Sequence, residues 1–236
     1  MCILISMCGR AYETYTEEEL YLRYLNESRK RNPLGLKANY NLSPTQQSPV
    51  VLNKDGERTI EMFRWGLVPF WAPDVKSASK YSLINAKGEE ILEKRSYKEP
   101  FLKRRCIVPL SGFIEWKRES EKVKRPFAIR LKDTSIMSVA GVWEHWQSKE
   151  SGDIVDSFSI ITTEPNTFMA DIHNRMPVIL SREQEAQWLD QKNTDGSSLL
   201  KLLKPCPAEW LDAYEISTAI NSPKNNRPEV LEPLKA

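Results

Sequence analysis

Short apolar runs rich in β-branched and aromatic residues recur at 58–65, 106–109, 127–131, 136–142, 157–163, 177–180 and 213–217. Each reads as a strand. The segments between them do not repeat as β-α-β units, which argues against a doubly wound parallel sheet. The expectation is a single α+β domain with a mixed, mostly antiparallel, barrel-like β-sheet core flanked by a few short helices. At 236 residues the chain can bury such a core without disulfides or a structural metal.

Local signals place the helices. Thr16 and Glu19 form a T-x-x-E capping box ahead of Leu20, Tyr24 and Leu25, predicting a helix over 17–30 that Asn32-Pro33 stops. Ser181 and Gln184 make a second box before Ala186, Trp188 and Leu189, and 197–204 reads as a third, shorter helix. No repeat or low-complexity tract interrupts the chain.

The net charge is only +2, so bulk electrostatics does not announce a polyanion partner. Basic residues do crowd 94–105 and 117–125, runs that fit a solvated face or a binding surface. The four cysteines, Cys2, Cys8, Cys106 and Cys206, show no C-x-x-C pair, and His145 and His173 are the two histidines. Neither a metal nor a cofactor is expected. No apolar stretch approaches the roughly 20 residues of a spanning helix, so the expectation is a cytoplasmic monomer away from membranes. Cys106, in an apolar strand, and Cys206, between two prolines, read as structural.

Polar residues in apolar settings are the candidates for chemistry. Glu115 lies between Ile114 and Trp116; it is either an outward-facing strand residue or a buried carboxyl with a raised pKa. His173, in Asp171-Ile172-His173-Asn174-Arg175-Met176-Pro177, is either a satisfied structural imidazole or a catalytic group at a strand entry. Asn85 is a buried amide or a helix cap for the segment after it. Trp65-Gly66-Leu67-Val68-Pro69-Phe70-Trp71 is core and turn, or a stacking platform for unpaired bases.

Taken in order, Met7-Cys8-Gly9-Arg10, Tyr40-Asn41-Leu42-Ser43-Pro44, Trp65-Gly66-Leu67-Val68-Pro69, Leu83-Ile84-Asn85-Ala86, Gly112-Phe113-Ile114-Glu115-Trp116 and the His173 segment resemble the SRAP family, the SOS response associated peptidases. The resemblance implies a sensor of abasic sites in single-stranded DNA that protects the lesion through a covalent crosslink to its N-terminal cysteine. Cys8 is then the nucleophile, supported by Asn85, Glu115 and His173. Arg10 and Arg175 contact phosphates, Phe70 and Trp71 wedge against bases, and Pro44 lines the same pocket. Lys87 stands where many relatives have arginine, exchanging a planar clamp for a point charge.

The implied chemistry is physically coherent. An abasic sugar opens to an aldehyde, and an α-amine with a pKa of about 7.7–8.0 supplies far more free base at neutral pH than a lysine near about 10.4. The amine gives a Schiff base, and the adjacent thiol closes a thiazolidine in an effectively unimolecular step. Glu115 or His173 shuttles the proton that expels water. Residues 1–6 stand in the way, because they tie the Cys8 nitrogen into an amide. A start at Met7, self-cleavage, and use of Cys2 instead answer this in that order of preference, which makes residues 7–236 the domain. Two other functions stay open: a cysteine-type peptidase acting on its own N-terminal extension, and a non-covalent single-strand binder.

Overall fold

The computed structural model describes residues 8–26 and 33–234. Among these residues thirteen strands run in chain order: β1 (Ala11–Glu13), β2 (Asn39–Leu42), β3 (Gln47–Lys54), β4 (Glu57–Trp65), β5 (Asn85–Lys87), β6 (Arg105–Leu110), β7 (Gly112–Arg118), β8 (Lys124–Leu131), β9 (Met137–Gln147), β10 (Ile154–Thr163), β11 (Met176–Pro177), β12 (Ile179–Leu180) and β13 (Leu211–Glu215). One sheet is ordered β11-β10-β4-β3-β6-β9-β12, and pairing of β9 with β10 closes its centre into a five-stranded barrel. The second sheet is ordered β13-β8-β7-β1-β2. Only β4 and β5 lie parallel to their neighbour β10; the other pairings are antiparallel. The fold is the expected α+β domain with a barrel-like, mostly antiparallel core.

The apolar runs are near-continuous because both faces of the barrel strands are covered. Val50 and Leu52 join a cluster with Phe63, Trp65 and Phe158 that the second sheet shares through Ala11, Phe113 and Ile129. Val51, between them, joins Leu20, Phe101 and Trp188 from the helices. Each fully buried large side chain of this kind contributes roughly 1.5–3 kcal/mol. β3 escapes recognition in the sequence because Pro49 sits inside it. It meets β6 only around Val51 and Ile107, so the N–H that Pro49 lacks is not needed on that side.

Both capping boxes form. The first helix, Glu17–Leu25, is nevertheless shorter than the expected 17–30, because Asn26 adopts a left-handed cap with φ 55°. Residues 27–30 of that expectation, and its Asn32 stop, lie outside the described residues. The 197–204 helix reduces to Gly196–Leu200, started by the Asp195 side chain. The strand expected over 177–180 is two: β11 follows β10, Val178 bridges through its N–H to Ile161 and its carbonyl to Ala140, and β12 follows β9. This crossing fixes the turn that precedes it, which carries His173. No described helix is long and apolar enough to cross a membrane.

Candidate active site

β1 delivers the N-terminal segment to the second sheet. Its register sets Ala11 opposite Phe113, and the Ile114 N–H donates to the Arg10 carbonyl at 2.9 Å. Just upstream the backbone turns at Cys8, whose φ of 48° is left-handed. That turn brings the Cys8 nitrogen within 2.6 Å of Glu115 Oε1, a hydrogen bond across 107 positions of sequence. Glu115 is only 2% exposed, so it is not an outward-facing strand residue.

His173 completes a chain of groups. Its Nδ1 faces the Arg175 backbone, 3.2 Å from the N–H and 3.4 Å from the carbonyl, and this turns Nε2 toward Glu115, 4.0 Å from Oε2. Burial pushes the Glu115 carboxyl above the ordinary range, opposed by His173 and by hydrogen bonds from Cys8. Burial likewise pushes the Cys8 thiol well up; Glu115 adds to this, and Arg175 acts against it. The site thus pairs a neutral thiol with a carboxyl that burial shifts toward its protonated form.

Asn85 opens β5 and is not a helix cap. Its strand is pinned by the Tyr97 hydroxyl donating to the Asn85 carbonyl at 3.0 Å and by the Ile160 N–H donating to the Ile84 carbonyl at 3.1 Å. Ile84 lines a cleft of about 370 Å³ together with Gly9, Arg10, Pro44, Arg64 and Ser82. Cys8, Ser82 and Thr45, another lining residue, all have positive φ, at 48°, 50° and 79°. For a β-branched threonine that conformation is strained, and such strain clusters at working sites.

The expected DNA contacts divide. Pro44 and Arg10 line the cleft, with Arg10 Nη1 held by Asn41 Oδ1 at 2.6 Å. Phe70 is 52% exposed, and Trp71 packs edge-on against Tyr81 at 5.4 Å with Arg95 over its ring. Lys87 is exposed beside Glu90. Arg175 turns inward: both terminal nitrogens meet Glu89 at 2.9 Å, and Nη2 also donates to the Thr162 carbonyl. Glu89 and Thr162 carry no signal in the sequence that marks them as its partners.

The basic runs separate by environment too. In the first, Lys94, Lys103 and Arg104 meet Glu90, Glu99 and Glu144, and Arg105 is buried against backbone carbonyls. In the second, Lys117, Arg118 and Lys124 line a recess of about 530 Å³ that His173 shares. Burial pushes the Cys106 thiol far up and Cys206 up to about 12, in keeping with structural roles. Cys2 lies outside the described residues.

Residues 7–223 match the family model described as SOS response associated peptidase (SRAP). The chain belongs to the SRAP family. It is 40% identical over 226 residues to the abasic site processing protein YoqW of Bacillus subtilis (strain 168), covering 96% of this chain and 99% of that one. It is 44% identical over 193 residues to YoaM of the same organism, also named an abasic site processing protein, covering 82% and 84%. The fold is similar to that of a crystal structure of a protein from Bacteroides thetaiotaomicron, with a TM-score of 0.86 and 31% identity, covering 97% of this chain and 100% of that one.

Proposed function

We propose that this protein processes abasic sites in single-stranded DNA by forming a thiazolidine crosslink through Cys8, once the residues before it are absent. The observation that carries this reading is the 2.6 Å contact between the Cys8 nitrogen and Glu115. That nitrogen is the atom that must attack the sugar aldehyde. With a free α-amine, attack gives a carbinolamine, a protonated Glu115 supplies the proton with which hydroxide leaves as water, and the imine forms. The thiol then adds to the imine carbon, and its proton passes to the ring nitrogen. One water is lost overall.

The high thiol pKa suits this order, because the amine reacts first and the sulfur is needed only for ring closure. His173, within 4.0 Å of Glu115, is placed to exchange protons with it. Asn85 orients the amine, and the Arg175–Glu89 pair holds the His173 turn against β10, leaving Arg175 to approach a phosphate only in exchange for Glu89. The strand passes through the cleft that holds Arg10 and Pro44 and meets the exposed Phe70 and Trp71, with Lys87 at its margin.

A self-cleaving peptidase has one observation of its own: Glu115 meets the nitrogen of the peptide bond after Met7, the atom protonated when that bond breaks. The raised thiol pKa weighs against a thiolate nucleophile of the usual peptidase kind. Intact mass after incubation with abasic single-stranded DNA separates the readings. A chain beginning at Cys8 is expected to gain the oligonucleotide mass less one water, and Cys8→Ala to gain nothing. Loss of the N-terminal peptide alone supports the peptidase, and an unchanged mass leaves a non-covalent binder.

A further inference from the structure

Arg64 is an arginine that the reaction above does not use. It lies on β4 between the buried Phe63 and Trp65, so strand alternation turns it away from the core. It faces the cleft beside Gly9 and Arg10, immediately downstream of Cys8. Among the described residues its guanidinium makes one hydrogen bond, from Nη1 to the Gly66 carbonyl at 2.5 Å, and no ion pair. Other partly buried arginines are better provided for: Arg23 meets Glu185, Arg104 meets Glu144 and Arg175 meets Glu89, while Arg10 in the same cleft is held by Asn41 and the Ile220 carbonyl. Among the described residues, no aspartate or glutamate lines this cleft, whereas Ser43, Thr45, Ser79 and Ser82 do.

Gly66 keeps the room for this side chain. Its φ of +112° disfavours any other residue, and an added Cβ would stand 3.0 Å from Arg64 Nη1. A half-buried cation with most of its five donors unspent, in a cleft lined by hydroxyls and no carboxylate, is built for an anion that arrives from outside. Beside Cys8, the anion that a nucleic-acid strand offers is its phosphodiester.

We propose that Arg64 binds the backbone phosphate next to the reacting sugar, with Arg10 on the same wall of the cleft. The assignment to that phosphate rests on the crosslinking function proposed above. Salt titration of binding to an undamaged single-stranded oligonucleotide tests the anion site without requiring the crosslink. Arg64→Gln is expected to weaken binding several-fold at low salt and to lower the slope of log K against log salt by about 0.7, one phosphate on a single strand. Lys132→Gln, an exposed cation on the turn after β8, is expected to leave the slope as in the wild type. An Arg64→Gln protein with the wild-type slope and affinity overturns the proposal.

A second measurement uses strands with a stable abasic analogue and a neutral methylphosphonate on either side of it. At one of the two positions the wild type is expected to lose affinity while Arg64→Gln loses none further. Equal losses in both proteins at both positions overturn the assignment. Should Arg64→Gln fail to fold, Arg64→Lys replaces it: it keeps the slope but binds the normal phosphate more weakly, having lost the fork. Affinity equal to the wild type overturns the proposal there. Absence of any adduct between the Cys8-started wild type and abasic DNA would instead refute the crosslinking reading, while the undamaged-strand titration still reports on Arg64.

Discussion

At the scale of single residues, the site depends on carboxyls whose protons are set by burial. Glu115→Gln keeps the shape and the contact to the Cys8 nitrogen but removes the titratable proton, and is expected to slow crosslinking on the order of 10²-fold. Rates of adduct formation across pH 5 to 8 check this; a profile identical to the wild type would remove Glu115 from proton transfer. Glu13, on β1 and hydrogen-bonded by Ser48, is the stability counterpart. Burial pushes its carboxyl up to about 8, with the Ser48 hydrogen bond acting the other way. Between an unfolded value of about 4.3 and that pH, the native chain holds a proton that the unfolded chain releases. Its contribution is therefore complete in acid and lost as pH rises toward 8. Urea midpoints at pH 5, 7 and 9 should fall more steeply in the wild type than in Glu13→Gln. Parallel curves would place the slope elsewhere.

At the scale of elements, the critical joint is the pairing of β1 with β7, since β1 sets where Cys8 stands. Gly112 begins β7 opposite Tyr12. A Cβ there would collide with the Tyr12 hydroxyl and the Ile129 carbonyl, the latter rigid backbone. Gly112→Ala is expected to cost about 1–3 kcal/mol or more through overpacking. Because the strain falls on β1, adduct formation should drop even at temperatures where the variant remains folded. Thermal unfolding and single-turnover crosslinking, measured together, test this. A destabilised variant with normal crosslinking would mean that β1 holds Cys8 without help from this contact. Asn41 braces the same joint from β2: its Nδ2 donates to the Ser222 and Asn225 carbonyls at 2.9 Å while its Oδ1 holds Arg10.

At the scale of the whole molecule, a closed barrel supports Asn85 and the His173 turn, and a second sheet carries Cys8 and Glu115, with Glu115 facing His173. The proposed crosslink needs a free amine at Cys8, so on that reading the N-terminus is the control point. A chain started at Met7 and trimmed to Cys8 is expected to form a heat-stable adduct with abasic single-stranded DNA. The chain started at Met1 is expected to react only after processing, because an amide nitrogen has its lone pair delocalised. Cys8→Ala should abolish the adduct in both, and Cys2→Ala should leave the longer chain no worse. An adduct on a chain whose mass retains residues 1–6, eliminated by Cys2→Ala, would transfer the chemistry to Cys2.

What the sequence determined by itself was whatever short-range physics could carry. Thr16 with Glu19 and Ser181 with Gln184 start helices through hydrogen bonds that span three residues, and strand runs buried on both faces advertise themselves by unbroken apolarity. The ordered motifs also named the SRAP family and pointed to Cys8, Asn85, Glu115 and His173. The tertiary structure alone decided how Glu115 meets Cys8 and His173. The Cys8–Glu115 contact joins positions 107 apart and exists only because β1 lies beside β7. The same reason hid the pairing of Arg175 with Glu89, 86 positions away, and the isolation of Arg64 in a cleft without carboxylates. A side chain's charge is written in the sequence; whether it has a partner depends on which strands the fold sets side by side.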